Sequence, residues 1–111
     1  MNRAAVALVL ALVPSFATAE GGQDRLARLR IERGMHEALA RCGPCHAVEV
    51  SGASPLAGAP AFRDLNKTYP VADLIAAIAE GAPTGHPQMP RFHLSQRERE
   101  ALVAYVRSVQ R

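Results

Sequence analysis

Two thiols and an imidazole stand within five consecutive residues of this chain. The run Cys42-Gly43-Pro44-Cys45-His46 has the C-x-x-C-H pattern through which c-type haem is attached. On one helical turn both thiols can reach the vinyl groups of a single porphyrin, and the imidazole one residue later is placed under the iron. The motif therefore predicts one covalent haem c, attached through Cys42 and Cys45, with His46 as an axial ligand of the iron.

The same cysteines allow two other interpretations. Cys-Gly-Pro-Cys is also the active-site sequence of thioredoxin-like oxidoreductases, but that site follows a buried strand in a βαβ pattern, and here an arginine-rich helical pattern precedes it. A structural zinc site needs more than two thiols, and the other histidines, His36, His86 and His93, lack the paired spacing of such a site. The sequence favours haem attachment over both.

The opposite face of the iron needs a second ligand, and Met89 is our prediction. Pro90 biases Met89 towards an extended backbone, in a loop that further prolines stiffen. A thioether is a soft, neutral ligand that favours ferrous iron, so His/Met ligation raises the reduction potential and keeps the iron six-coordinate. His86 and His93 are the alternatives and would give a bis-histidine haem of lower potential; we interpret both as surface histidines.

A ligating histidine usually donates its second ring N–H to a carbonyl, which fixes the tautomer and the plane of the ring. A proline carbonyl in the loop that follows His46 suits this role, with Pro60 the first choice and Pro55 the second. Candidate partners for the haem propionates are Arg41, Arg63, Lys67, Tyr69 and Arg91.

The chain begins like an exported protein. A weakly positive start is followed by an apolar run over residues 4–13, then Pro14, then Ala17-Thr18-Ala19 with the small-x-small form of a cleavage site. The run is shorter than the roughly 20 residues that span a bilayer. We predict that residues 1–19 are a cleavable signal peptide, with an uncleaved anchor as the alternative. The expected location is the periplasm, with no integral membrane segment after cleavage.

Residues 20–111 are long enough for one domain. The two cysteines are too close for a disulfide to add much stability, and the chain has no tryptophan and only 5% aromatic residues. A large apolar cofactor would supply the missing core. Removing Arg3 with the signal peptide lowers the net charge from +3 to +2. So small an excess gives no argument for nucleic-acid binding, which we do not expect, and permits docking on an acidic partner.

The periodicity along residues 20–111 is helical, which predicts an all-α fold. A first helix over residues 24–41 leads into the cysteine motif. Its apolar or small side comprises Ile31, Gly34, Met35, Ala38, Leu39 and Cys42. His36 is predicted to face solvent.

Three further helical segments are predicted. Pro60 and Pro70 are each well placed as a first helical residue, of a short segment through residue 66 and of a helix over residues 71–80. Ser95 and Glu98 form a capping box at the start of the last helix. Its buried stripe comprises Leu102, Tyr105, Val106 and Val109.

These features together resemble the small monohaem class I c-type cytochromes of the bacterial periplasm, over roughly residues 24–111. Gly34, eight positions before Cys42, is similar to the family's helix glycine, and Tyr105 is similar to the aromatic residue of its last helix. The resemblance implies that these two residues meet where the terminal helices cross. It also implies a cytochrome c-like fold in which three main helices and a short one enclose the haem and leave one thioether edge exposed.

Six-coordinate iron leaves no position for a substrate, so one-electron transfer is the expected function, and we do not expect an enzyme. The predicted partners are redox proteins: an oxidase, a membrane oxidoreductase or a periplasmic dehydrogenase. Two alternatives stay open. The chain could be the haem c subunit of a multi-subunit dehydrogenase, or a protein with a weak distal ligand that binds or reduces a small molecule.

Overall fold

The computed structural model describes residues 17–111, with side chains from residue 21 onwards. Residues 1–16 of the predicted signal peptide lie outside the described part of the chain. Four helical elements follow one another: α1 (Ala17–Arg41), a 3-10 helix (Phe62–Lys67), α2 (Val71–Ala79) and α3 (Gln96–Ser108). Residues 17–111 contain no strand, which confirms the all-α prediction. None of their helices is long and apolar enough to cross a membrane.

The terminal helices α1 and α3 cross in direct backbone contact at Gly34. A Cβ on Gly34 would overlap the Ala101 carbonyl oxygen and would lie 2.7 Å from Tyr105 Cβ. Only glycine fits there, because the neighbouring atoms are the backbone and the first side-chain carbon of α3. The predicted meeting of Gly34 and Tyr105 is confirmed.

The core lies where α3 packs against α1, α2 and the 3-10 helix. The predicted stripe of α3 is buried, and Val106 has no exposed surface at all. Because α2 presents only one side to α3, Leu74 stays partly exposed while Ile75 is buried. The core cluster consists of Ala38, Val48, Phe62, Leu65, Val71, Ile75, Leu102, Tyr105, Val106 and Val109.

The capping box at the start of α3 is confirmed. The Glu98 backbone N–H donates to the Ser95 hydroxyl at 3.2 Å, and the Ser95 N–H donates to a Glu98 carboxylate oxygen at 2.7 Å. The hydrogen bond from the Ser95 N–H lowers the pKa of Glu98, and Arg41 contributes from 2.9 Å. Arg41 also binds Glu37 at 2.8 Å, so one guanidinium joins the end of α1 to the start of α3.

Three of our sequence-based assignments are wrong in detail. Leu39, predicted on the packed side of α1, is 40% exposed, because it lies 100° around the helix from buried Ala38. Pro60, predicted to open the short helix, precedes it, and that helix begins at Phe62. Pro70, predicted as the first residue of α2, is its N-cap, and the Pro70 carbonyl accepts the Leu74 N–H at 3.0 Å.

Candidate haem site

The end of α1 delivers the cysteines and the histidine. The N–H groups of Cys42 and Gly43 both donate to the Ala38 carbonyl, at 2.9 and 2.8 Å, so the chain tightens as α1 ends. The His46 N–H then donates to the Cys42 carbonyl at 2.8 Å and closes one further turn. The end of α1 and the turn that follows it together fix the positions of the two sulfurs and the imidazole.

Gly43 allows this turn to form. A Cβ at this position would lie 2.5 Å from the Leu39 carbonyl oxygen, closer than real Cβ atoms approach. In the sequence Gly43 is only a spacer within the motif, and nothing in the spacing of the cysteines indicates its steric role.

No disulfide joins Cys42 and Cys45, and both are partly buried. Burial raises the pKa of the Cys42 thiol to about 11, against a smaller opposing effect of the Arg41 charge. The first cysteine of a thioredoxin-like site needs the opposite shift, because its thiolate is the nucleophile. The environment of Cys42 therefore disfavours dithiol redox chemistry.

His46 is held by Pro60 and Phe62. Its Nδ1 lies 2.7 Å from the Pro60 carbonyl oxygen, and since a carbonyl can only accept, Nδ1 carries the proton and donates. In that tautomer Nε2 keeps its lone pair, as a metal ligand requires. The Phe62 ring packs on the imidazole with ring centroids 5.5 Å apart and planes tilted by 50°. The ring plane is thus fixed by a hydrogen bond and by an aromatic contact.

Hydrogen bonds fix the loop over residues 47–61 to the turn that carries Cys42, Cys45 and His46. The Ala47 N–H donates to the Ser54 hydroxyl at 2.9 Å, and the Leu56 N–H donates to the Cys45 carbonyl at 3.0 Å. The Phe62 N–H donates to the Ala47 carbonyl at 2.9 Å. These bonds bring Pro60 to the imidazole. The roles of Ser54 and Phe62 were not predicted from the sequence. The only available signal was that Phe62 is an aromatic residue two positions after Pro60.

Met89 lies in the loop between α2 and α3 and is partly buried. Its N–H donates to the His86 carbonyl at 3.0 Å, and the Thr84 hydroxyl lies 3.2 Å from the same carbonyl and donates to it. The loop surrounds an open cleft of about 440 Å³ that Thr84, His86, Met89 and Arg91 help to line. The structure therefore places the thioether at a concave surface, while the polar contacts of Met89 lie within its own loop.

The remaining histidines are exposed, as predicted. His93 packs over Gly81, where a Cβ would lie 2.6 Å from its Cε1 atom. Among the described residues no three His, Cys, Asp or Glu side chains converge on a point that would hold a bare metal ion.

The candidate propionate partners differ in their surroundings. Arg41 and Lys67 are engaged with carboxylates, Lys67 with Asp64 at 2.8 Å. Arg91 lines the same cleft as Met89. Arg63 donates from Nη2 to the Gly52 carbonyl at 2.7 Å, but its Nε and Nη1 are buried without a hydrogen-bond partner among the described residues. Tyr69 is half exposed.

The residues present fit a haem c. Cys42 and Cys45 supply two sulfurs on one turn, and His46 supplies an imidazole oriented through Nδ1. Met89 supplies a thioether beside an open cleft. Two thiols for attachment, with an imidazole nitrogen and a thioether sulfur for ligation, are the donor set of c-type cytochromes.

This fold and this site define a c-type cytochrome domain. The sequence matches the family model described as cytochrome c oxidase, cbb3-type, subunit III, over residues 30–106, which is more than half of the chain, and the protein belongs to that family. No curated protein and no solved structure matches the chain. As a member of the family the protein carries covalently bound haem c with its iron, and its chemistry is electron transfer.

Proposed function

We propose that this protein is a periplasmic one-electron carrier. Cys42 and Cys45 form the thioether bonds to the haem, and His46 and Met89 are the axial ligands of the iron. The bound haem supplies a centre that gains and loses one electron. The observation that carries the proposal is the oriented imidazole: Nδ1 bound to the Pro60 carbonyl at 2.7 Å, at the end of a turn that also presents both thiols.

The chain's own residues have distinct tasks in this proposal. Pro60 and Phe62 fix the imidazole so that Nε2 stays available and the ligand bond keeps one geometry. Pro90 restricts the backbone of Met89, which lowers the conformational entropy lost when its side chain is held in one position. Two strong protein ligands leave no site for a substrate, so the expected partners are redox proteins.

Covalent attachment is tested by variants of the two cysteines. Protein matured in the periplasm should keep its haem after denaturation and solvent extraction, with mass spectrometry as the readout. Cys42→Ser and Cys45→Ser should each keep one bond, and the double variant should lose all covalently held haem. Retention of haem by the double variant would contradict the assignment.

Axial ligation is tested at Met89. Met89→Ala should leave the haem attached but allow the reduced protein to bind carbon monoxide, because the thioether no longer occupies the sixth position. The matched control is Met35→Leu, a methionine that packs against the core on α1 and should keep the wild-type spectrum. If Met89→Ala stayed six-coordinate with an unchanged potential, Met89 would not be the ligand, and His86→Ala and His93→Ala would be tested next.

Export is tested by the mass of the protein recovered from the periplasm. Cleavage after Ala19 should give a chain that begins at Glu20, as the pattern over residues 1–19 predicts. A periplasmic protein of full length would instead support the uncleaved anchor, and a cytoplasmic protein would contradict the proposed location.

A second candidate function is a fixed electron-transfer subunit of a larger complex. The family description, which names an oxidase subunit, is the observation that favours it. Native electrophoresis of solubilised membranes and of the periplasmic fraction separates the two functions. A free carrier should migrate as the small protein alone, whereas a subunit should comigrate with a larger assembly in every fraction.

A further inference from the structure

The N-terminal part of α1 lies outside the packed domain. Every residue from 21 to 30 is exposed, and a Cβ built on Gly21 or Gly22 would meet no atom within 4 Å. Contact with the core begins at Ile31, and the family match begins at residue 30. This segment, the α1 extension (residues 21–30), therefore contributes nothing to the core of the cytochrome domain.

The α1 extension carries an apolar pair with nothing packed on it. Leu26 is 64% exposed and Leu29 is 50% exposed, and their spacing of three residues puts them side by side on the helix surface. Nine residues separate Leu29 from buried Ala38, so at 100° per residue the two lie on opposite sides of α1. The leucines thus point away from the domain that α1 helps to build.

Arginines surround this pair. Arg25 and Arg33 each lie four residues from Leu29, so each is one turn from that leucine on the same side. Arg30 lies four residues from Leu26 at the border of this face, where it also lines a cleft with Ala76 of α2 and Arg107 of α3. All three are exposed and form no ion pair within the described residues. Glu32, three residues from Leu29, is the acidic residue on this side, so three arginines stand against one carboxylate and the face is positively charged around an apolar centre.

We propose that this face of α1 binds the surface of an anionic phospholipid bilayer. Leu26 and Leu29 would enter the boundary between headgroups and acyl chains, and Arg25, Arg30 and Arg33 would bind phosphates with their stems along the apolar surface. A second copy of the chain fits poorly, because a symmetric contact would bring the arginines of both copies together. An anionic bilayer supplies both the negative charge and the apolar layer. The proposal does not depend on the iron ligands and uses no residue of the predicted signal peptide.

The test measures cosedimentation of the exported holoprotein with vesicles, after its mass has shown which N-terminus it carries. The protein should bind equimolar phosphatidylglycerol–phosphatidylcholine vesicles at low salt, should not bind pure phosphatidylcholine vesicles, and should dissociate at high salt. Leu26→Ser with Leu29→Ser should weaken binding about tenfold or more, and Arg25→Gln with Arg30→Gln and Arg33→Gln should do the same.

Val50→Ser is the matched control, because Val50 is 63% exposed and belongs to the loop after His46 and not to α1. It should bind like the wild type. Since Leu26 and Leu29 are exposed and do not belong to the core cluster, the leucine variants should keep the wild-type haem spectrum and melting temperature, which separates a binding defect from misfolding.

Three results would overturn the proposal. The first is a wild type that sediments with neither kind of vesicle, which would leave an acidic protein surface as the occupant of this face. The second is leucine variants that bind vesicles as tightly as the wild type, which would place the lipid contact elsewhere. The third is a dimer in analytical ultracentrifugation that the leucine variants abolish, which would make the face an interface between copies.

Discussion

Replacing Gly34 with alanine should separate the two helices that hold the domain together. The new methyl group would overlap the Ala101 carbonyl oxygen and would lie 2.7 Å from Tyr105 Cβ. Neither atom can move away by a side-chain rotation, because one belongs to the backbone and the other is the first carbon of its side chain. Relief requires α1 and α3 to shift apart.

Two opposing free energies set the size of the effect. Overpacking of a tight core contact costs about 1–3 kcal/mol, and a backbone contact belongs at the upper end of that range. Alanine in place of glycine inside a helix stabilises the helix by about 1 kcal/mol. The net loss in unfolding free energy is therefore about 2 kcal/mol. For a domain of this size that corresponds to a fall in Tm of roughly 8–16 °C.

The assay is thermal unfolding of the holoprotein, followed by circular dichroism and by haem absorbance. Gly22→Ala is the matched control, because Gly22 also lies in α1 but a Cβ at its position would meet no atom within 4 Å. It gains the same helix propensity without a clash, so its Tm should not fall. If Gly34→Ala melted with the wild type while Gly22→Ala behaved as expected, the close crossing of α1 and α3 would be refuted.

Three further predictions concern α3. Tyr105→Phe removes the hydroxyl that donates to the buried Val48 carbonyl at 2.7 Å, and urea unfolding should show a loss of about 1–3 kcal/mol because that carbonyl is left without a partner. Ser95→Ala removes the N-cap of α3 and should cost about 1 kcal/mol in the same assay. Glu98 has a pKa lowered in the folded state, so its contribution is present above its unfolded pKa and is lost as pH falls through the folded pKa. Glu98→Gln should therefore flatten the dependence of Tm on pH below about pH 5, and an unchanged slope would contradict this.

The elements that the sequence predicted well are those with a local signal. Periodicity located α2 and α3, and the spacing of Ser95 and Glu98 located the start of α3. Gly34 and Tyr105 were matched through a resemblance, because no local pattern joins two residues that are so far apart in the chain. Their contact could then be checked directly in the structure.

The parts that were not predicted depend on long-range contacts in aperiodic segments. Ser54 lies in a loop by composition, and nothing in that composition indicates that its hydroxyl accepts the Ala47 N–H. Pro60 was predicted both to open the short helix and to offer its carbonyl to His46; the carbonyl lies 2.7 Å from His46 Nδ1, but the helix begins at Phe62. The exposure of Leu26 was not predicted either. Helical periodicity indicates which side of a helix is apolar, but not where along the helix its contact with the domain ends.

Tyr105 and Gln110 influence the orientation of the His46 imidazole through hydrogen bonds to the segments that hold it. The Tyr105 hydroxyl holds the Val48 carbonyl, two residues after His46, and the Gln110 side chain donates to the Phe62 carbonyl at 2.6 Å. Both contacts fix the segment that carries Pro60 and the Phe62 ring, which in turn fix the imidazole. The strength of a metal–imidazole bond depends on the orientation of the ring and on the hydrogen bond at its other nitrogen. Substitutions at Tyr105 or Gln110 should therefore shift the reduction potential of the holoprotein as well as its stability, which a redox titration followed by haem absorbance would measure.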